Sequence, residues 1–309
     1  MTKKPPLIYN MTSKYGPYLY HKNQVLKELK KFILAERAKT KIAISNLAWE
    51  KSEEEKIVPL LKKYQIAGVE IAPSKIWPDP TKVTKEVVTK YKNFWNQNGI
   101  QIVAITSLLF GHPELTLFEN KIMRGKTLTY LKKMLRLTSW LGAKILVFGS
   151  PKNRLRGILS QNHADKIAVS FFRKLGQEAK KHKVNFCLEP IPQIYGADYL
   201  TNTTETIKLI KKIKHPNIKI NLDTGSMKIN RENFEKTIKK ALLLTGHLHL
   251  SEKGFKSFSD QKFGHGKISK ILNKLKYANW ASIEIWAEEK SSNINSVENS
   301  LKFIKKTYE

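Results

Sequence analysis

The chain has 309 residues, 41% of them hydrophobic and 10% aromatic, enough to bury a sizeable core. Its single cysteine, Cys187, excludes an internal disulfide and zinc motifs built on cysteine pairs, and no apolar run reaches the roughly 18 residues of a membrane span. The formal charge of +30 raises nucleic acid as a partner, yet segments such as LKELKKF, LKKMLRL and LIKKIK set lysines among apolar residues at helical spacing, as on solvated outer faces.

Residues 1–40 come first: a Tyr/Pro/Gly-rich stretch to about Tyr20, then a basic helix from about Asn23 to Ala38. They read as a basic N-terminal extension packing on the main domain. The opening stretch, MTKKPPLIYNMTSKYG, lacks the apolar segment of a secretory signal, so the expected compartment is the cytoplasm.

From residue 41 to 309 one rhythm repeats: a short apolar strand, a polar turn, an amphipathic helix. KIAISNLAW, AGVEIAP, QIVAITSLL, AKILVFGS, VNFCLEP, IKINLDTG, GHLHLSE and ASIEIW read as strands, starting near residues 41, 67, 101, 143, 184, 218, 246 and 281. An interval of about 34 residues suits a strand-and-helix unit. Eight such units predict an α/β fold, a (β/α)₈ TIM barrel forming one domain over residues 41–309. A doubly wound open sheet would carry a glycine-rich first turn, which is missing.

Barrel strands send alternate side chains out to the helices and into the interior. In the fifth strand Val184, Phe186 and Leu188 must face the helices, which turns Asn185, Cys187 and Glu189 inward. The same parity turns Asn221 and Asp223 inward on the sixth strand and His247, His249 and Ser251 on the seventh. On the eighth it turns Ser282, Glu284 and Trp286 inward. Glu189, Asp223, His249 and Glu284 therefore point into the C-terminal mouth, where barrel active sites are built. Three carboxylates converging in a dry cleft need a counter-charge. With one imidazole they suit Mn²⁺, Mg²⁺ or Co²⁺ better than Zn²⁺. His247 lies two residues deeper and reads as a satisfied interior histidine, and Asp223 in DTG also suits a turn cap.

Other residues near the mouth are candidates for holding substrate. Lys152, Arg154 and Arg156 in GSPKNRLRG suit a phosphate or carboxylate. Trp49 and Trp286 end the first and eighth strands, where aromatic faces pack on sugar rings. Glu70 points inward on the second strand, toward a substrate hydroxyl or a salt bridge, and His112 after SLLFG reaches toward the mouth. GHGKIS lacks the spacing of a phosphate loop, and Cys187 reads as packing rather than a nucleophile.

The strings ISNLAWE, GVEIAPS, CLEPIP, YGADYLTN, NLDTGSM, HLHLSE and SIEIW resemble the sugar phosphate isomerase/epimerase family of xylose isomerase-like TIM barrels, over about residues 41–305. The resemblance implies a divalent metal held by the Glu of LEP, the Asp of LDTG, the second His of HLHLSE and the Glu of IEIW. These are Glu189, Asp223, His249 and Glu284, the four that strand parity selects. It also implies that Glu189 and Glu284 are the catalytic acid–base pair, one removing the proton beside a carbonyl and the other returning one from the opposite face. The metal would polarise the substrate oxygens and stabilise the enediolate.

The implied activity is isomerisation or epimerisation of a carbohydrate, a sugar or sugar derivative with or without phosphate; a dehydratase would begin with the same proton removal. Ketose 3-epimerases carry a His three residues after the Asp and a Glu six residues after the first ligand. This chain has Ser226 and Tyr195 there, which makes Tyr195 a candidate substrate contact, and KGFKSF replaces an Arg after the seventh strand. An endonuclease IV-like phosphodiesterase acting on DNA is the alternative. Its histidine-rich three-metal centre needs the imidazole that Ser226 replaces, and Glu70 and His112 are too few to supply the rest.

Overall fold

Eight parallel strands close into a barrel in sequence order. They are β1 (Lys41–Ser45), β2 (Gly68–Ile71), β3 (Gln101–Ile105), β4 (Ile145–Phe148), β5 (Asn185–Leu188), β6 (Ile218–Asp223), β7 (Thr245–Leu250) and β8 (Trp280–Ile283). Every expected strand start falls within two residues of the observed one. The computed structural model describes residues 40–258, 263–287 and 293–308, so the expected N-terminal extension lies outside the described residues apart from Thr40.

Around the barrel run α1 (Glu54–Lys63), α2 (Lys85–Gln97), α3 (Lys121–Leu141), α4 (Gln161–His182), α5 (Thr203–Ile213), α6 (Thr224–Ile229), α7 (Phe234–Ala241), α8 (His265–Lys274) and α9 (Asn293–Tyr308). Their starts are set by capping. The side chains of Asn120, Ser160 and Asn202 accept hydrogen bonds from the backbone N–H groups of Met123, His163 and Glu205. Each cap satisfies a donor that the first turn of a helix would leave unpaired, worth about 1 kcal/mol. It also sets where each loop at the barrel mouth must end. None of the described helices is long and apolar enough to cross a membrane.

Strand parity sorts the apolar residues into two layers. Phe186, Leu188, Ile220, Leu222, Leu248, Leu250 and Ile283 join the large core between barrel and helices. Ala43, Ala104, Ile145, Val147 and Cys187 form a separate inner cluster, joined by Val103 at the register shift between β2 and β3. Burying one large apolar side chain contributes about 1.5–3 kcal/mol. A one-residue slip in β5 would therefore bring Phe186 and Leu188 inward and expel Glu189 from the mouth.

Candidate metal centre at the barrel mouth

Glu189 and Glu284 follow directly on β5 and β8, and Asp223 of β6 is in register with His249 of β7. All four side chains are buried. Each offers one ligand atom, and these atoms all lie within 4.8 Å of one another. His249 Nδ1 stands 3.0 Å from Glu189 Oε1 and 3.1 Å from Glu284 Oε2. Despite those distances Nδ1 makes no hydrogen bond. A buried, orphaned imidazole nitrogen facing carboxylates is an oxygen-rich donor set with one nitrogen, which fits a divalent cation.

Neighbouring groups hold the carboxylates in place. Glu189 Oε1 accepts from Asn221 Nδ2 at 2.7 Å, and its main-chain oxygen accepts from Arg154 Nη2 at 2.6 Å. Asp223 Oδ1 accepts from the Ser226 N–H at 2.6 Å and Oδ2 from the Ser251 hydroxyl at 2.5 Å. Asp223 thus caps α6 and belongs to the cluster at once. Gly149, just past β4, makes room for Glu189: a Cβ there would lie 2.6 Å from Glu189 Oε2.

The electrostatics show surplus negative charge. Burial raises the Glu284 carboxyl to about 7 against the opposing pull of His249. Burial and the nearby Glu189 also raise Asp223. Burial disfavours a charged His249, but Glu284, Glu70 and Glu189 outweigh it and raise the imidazole well above its ordinary value. Such a cluster takes up protons or a cation.

The remaining predicted residues divide. Trp49 does not reach the mouth. A short 3₁₀ turn (Asn46–Ala48) ends β1, and the indole lies fully buried in the outer core, 6.4 Å from Trp95. Glu70 meets no open space either; it is fully buried with its carboxylate hydrogen-bonded at 2.7 Å to His247 Nε2, so it is paired inside the barrel rather than open to a substrate hydroxyl. The basic trio forms no common anion cradle. Arg154 is fully buried beneath Glu189, Arg156 is tied to Asp198 and to the Leu159 carbonyl, and Lys152 alone is exposed. Burial lowers Arg154 to about 10, which leaves it charged at neutral pH. His112 packs on Tyr130 and pairs with Glu114.

Tyr195 and Trp286, by contrast, are brought together by a residue that no sequence motif singled out. Phe255 stacks on Trp286 at 4.7 Å and lies 5.7 Å from Tyr195, whose hydroxyl accepts from the Gly254 N–H. The aromatic in KGFKSF was the only sequence signal for it. Trp286 remains 55% exposed, which leaves this aromatic shelf open beside Glu284.

The sequence model of the xylose isomerase-like TIM barrel family matches residues 58–307. A D-psicose 3-epimerase of Ruminiclostridium cellulolyticum is 34% identical over 86 residues, a match that spans 28% of this chain and only 29% of that enzyme. Among solved structures, D-psicose 3-epimerase from Clostridium cellulolyticum H10, determined with D-tagatose, has a TM-score of 0.73 at 18% identity, covering 87% of this chain and 100% of that one. An L-ribulose 3-epimerase gives 0.72 at 16% identity over 87% and 94%, and the 3-keto-D-glucoside 4-epimerase of E. coli gives 0.70 at 16% over 87% and 100%. At these identities the solved structures speak to the fold. The match of the family model over residues 58–307, on a closed eight-stranded barrel, shows that the chain belongs to the xylose isomerase-like TIM barrel family.

Proposed function

We propose that this protein is a divalent-metal-dependent isomerase or epimerase that acts on a sugar or sugar derivative by proton transfer next to a carbonyl. The observation that carries the reading is the buried set Glu189, Asp223, His249 and Glu284, with His249 Nδ1 facing its carboxylates. The similarity to D-psicose and L-ribulose 3-epimerases supports the substrate class. The same four residues would hold Mn²⁺, Mg²⁺ or Co²⁺. Such an ion, when bound, polarises the substrate's carbonyl and hydroxyl oxygens.

The chain's own groups do the rest. Glu189 follows β5 and Glu284 follows β8, three strands apart around the closed barrel, and in this reading they act on opposite faces of a carbon held between them. One takes the proton beside the carbonyl and the other returns one. Asn221 orients Glu189, whereas Asp223 is pinned by Ser226 and Ser251 and serves as a ligand. The shelf of Tyr195, Phe255 and Trp286 offers an apolar surface for the C–H face of a sugar ring. The proposed compartment is the cytoplasm, in keeping with a chain of one cysteine.

Elemental analysis of protein purified without chelator is the test. It should find about one Mn, Co or Mg ion per chain, lost in Asp223→Ala. Incubation of the loaded protein with ketoses and ketose phosphates in deuterated water should then place solvent deuterium on the carbon beside the carbonyl. Absence of metal, even after soaking, would remove the site. Metal without exchange on any of these sugars would remove the isomerase reading. Phosphodiester cleavage of DNA is not favoured, since the similar proteins are sugar epimerases.

A further inference from the structure

We propose that Glu70 and His247 form a buried positioning relay that holds His249 with its proton on Nε2 and turns the Nδ1 lone pair toward the cation. The proposal rests on the metal-site reading above. The His249 ring bridges two charged neighbourhoods. Its Nδ1 faces Glu189 and Glu284, while its Nε2 lies 3.0 Å from Glu70 Oε1 and 3.3 Å from Glu70 Oε2. Nε2 is the ring nitrogen that hydrogen-bonds, to Glu70, whereas Nδ1 makes no hydrogen bond, so with a cation on Nδ1 the one remaining ring proton belongs on Nε2.

Glu70 is held in turn. Its Oε2 lies 2.7 Å from His247 Nε2, which also lies 2.9 Å from Ser282 Oγ. The two imidazole rings cross almost at right angles, 88° between planes, with centroids 5.3 Å apart. This fits one carboxylate edge serving both Nε2 atoms. Glu70, His247, His249 and Ser282 are all fully buried, so no water competes for these bonds. A buried carboxylate behind a metal-binding imidazole sets the tautomer, fixes the ring and makes the nitrogen more basic.

The atoms of Glu70, His247 and His249 also lie close enough together to suggest a second metal site. Their contacts argue otherwise. Both Nε2 atoms are already hydrogen-bonded to Glu70 Oε2, and that of His247 to Ser282 as well, whereas His249 Nδ1 in the first cluster has no such partner. A metal there would have to displace these hydrogen bonds among three fully buried residues.

Two measurements test the relay. In wild-type protein loaded with Mg²⁺ and labelled with ¹⁵N at histidine side chains, His249 (assigned by its loss in His249→Gln) should carry its single ring proton on Nε2, hydrogen-bonded to Glu70. Glu70→Gln, which keeps the volume but loses the charge, should bind Mn²⁺ about 10–100-fold more weakly with the stoichiometry unchanged and the circular dichroism of wild type. A proton on Nδ1 of His249 in the Mg²⁺-loaded protein, a Kd within about twofold of wild type in folded Glu70→Gln, or a second bound ion would each overturn the proposal. If Glu70→Gln fails to fold, the wild-type spectrum decides. Failure of the wild type to bind Mn²⁺ at all would instead strike the metal-site reading, so the two failures are told apart.

Discussion

Glu189 shows how much of the site depends on single contacts. Asn221 holds one carboxylate oxygen, Arg154 holds the main-chain carbonyl, and Gly149 leaves space for the other oxygen. Glu189→Gln keeps the shape but cannot accept a proton. Solvent exchange at the substrate should fall about 10²–10⁴-fold, the usual contribution of a general acid–base group. Turnover equal to wild type would remove Glu189 from the acid–base pair. Gly149→Ala places a methyl only 2.6 Å from Glu189 Oε2. The expected result is weaker Mn²⁺ binding by calorimetry with the melting temperature nearly unchanged, because the side chain swings aside while the outer core is untouched. Undiminished affinity would mean that Glu189 does not need its present position.

At the scale of elements, the packing of α1 on α2 contains a titratable joint. Glu54 in the first turn of α1 pairs with the Tyr91 hydroxyl on α2 at 2.5 Å. Burial lifts its carboxyl from the ordinary 4.5 to about 7, although Tyr91 and Lys51 oppose it. For an acid whose folded value is raised, the stabilising form is the protonated one. The contribution is complete below about pH 4.5 and is lost as pH rises through about 7. Denaturant melts across that window should show wild type losing stability relative to Glu54→Gln, which stays uncharged throughout. Parallel pH profiles for the two proteins would show that Glu54 is not the titrating group. The aromatic shelf is a joint of another kind, assembled from the loops after β5, β7 and β8. Phe255 adopts a φ of 55° there, an unusual conformation for a bulky residue.

For the whole molecule, metal and fold are linked. The folded barrel gathers three carboxylates and an imidazole that an unfolded chain scatters, so an ion that binds them stabilises the native state. At a hundredfold excess over Kd the gain is about 2.7 kcal/mol. Calorimetry should show Mn²⁺ raising the melting temperature of wild type by several degrees, a chelator reversing the shift, and Asp223→Ala lacking it. A wild-type transition indifferent to Mn²⁺, Mg²⁺ and Co²⁺ would contradict the site. Many of the lysines behind the formal charge of +30 lie on the described helices around the barrel.

How far the sequence reaches can be seen strand by strand. In β5 to β8 the period-two alternation is imposed by the two layers a barrel must fill. Phe186, Leu222, Leu250 and Ile283 therefore reveal their own direction and that of the residues between them. That alone brought Glu189, Asp223, His249 and Glu284 to one mouth. The loops have no such period. Trp49 follows a 3₁₀ turn that carries it into the outer core, and Arg154 follows Ser150, whose φ of 40° helps bend the chain beneath Glu189. Neither direction is written in residue type. Glu70 was legible as inward-facing, but its partners were not. They stand on β7, 177 and 179 positions away, and closure of the barrel brings them across the interior to face Glu70. Local alternation determined which side chains face the interior, and only the closed sheet decided which of them meet, because those distances are set by the whole barrel rather than by any one strand.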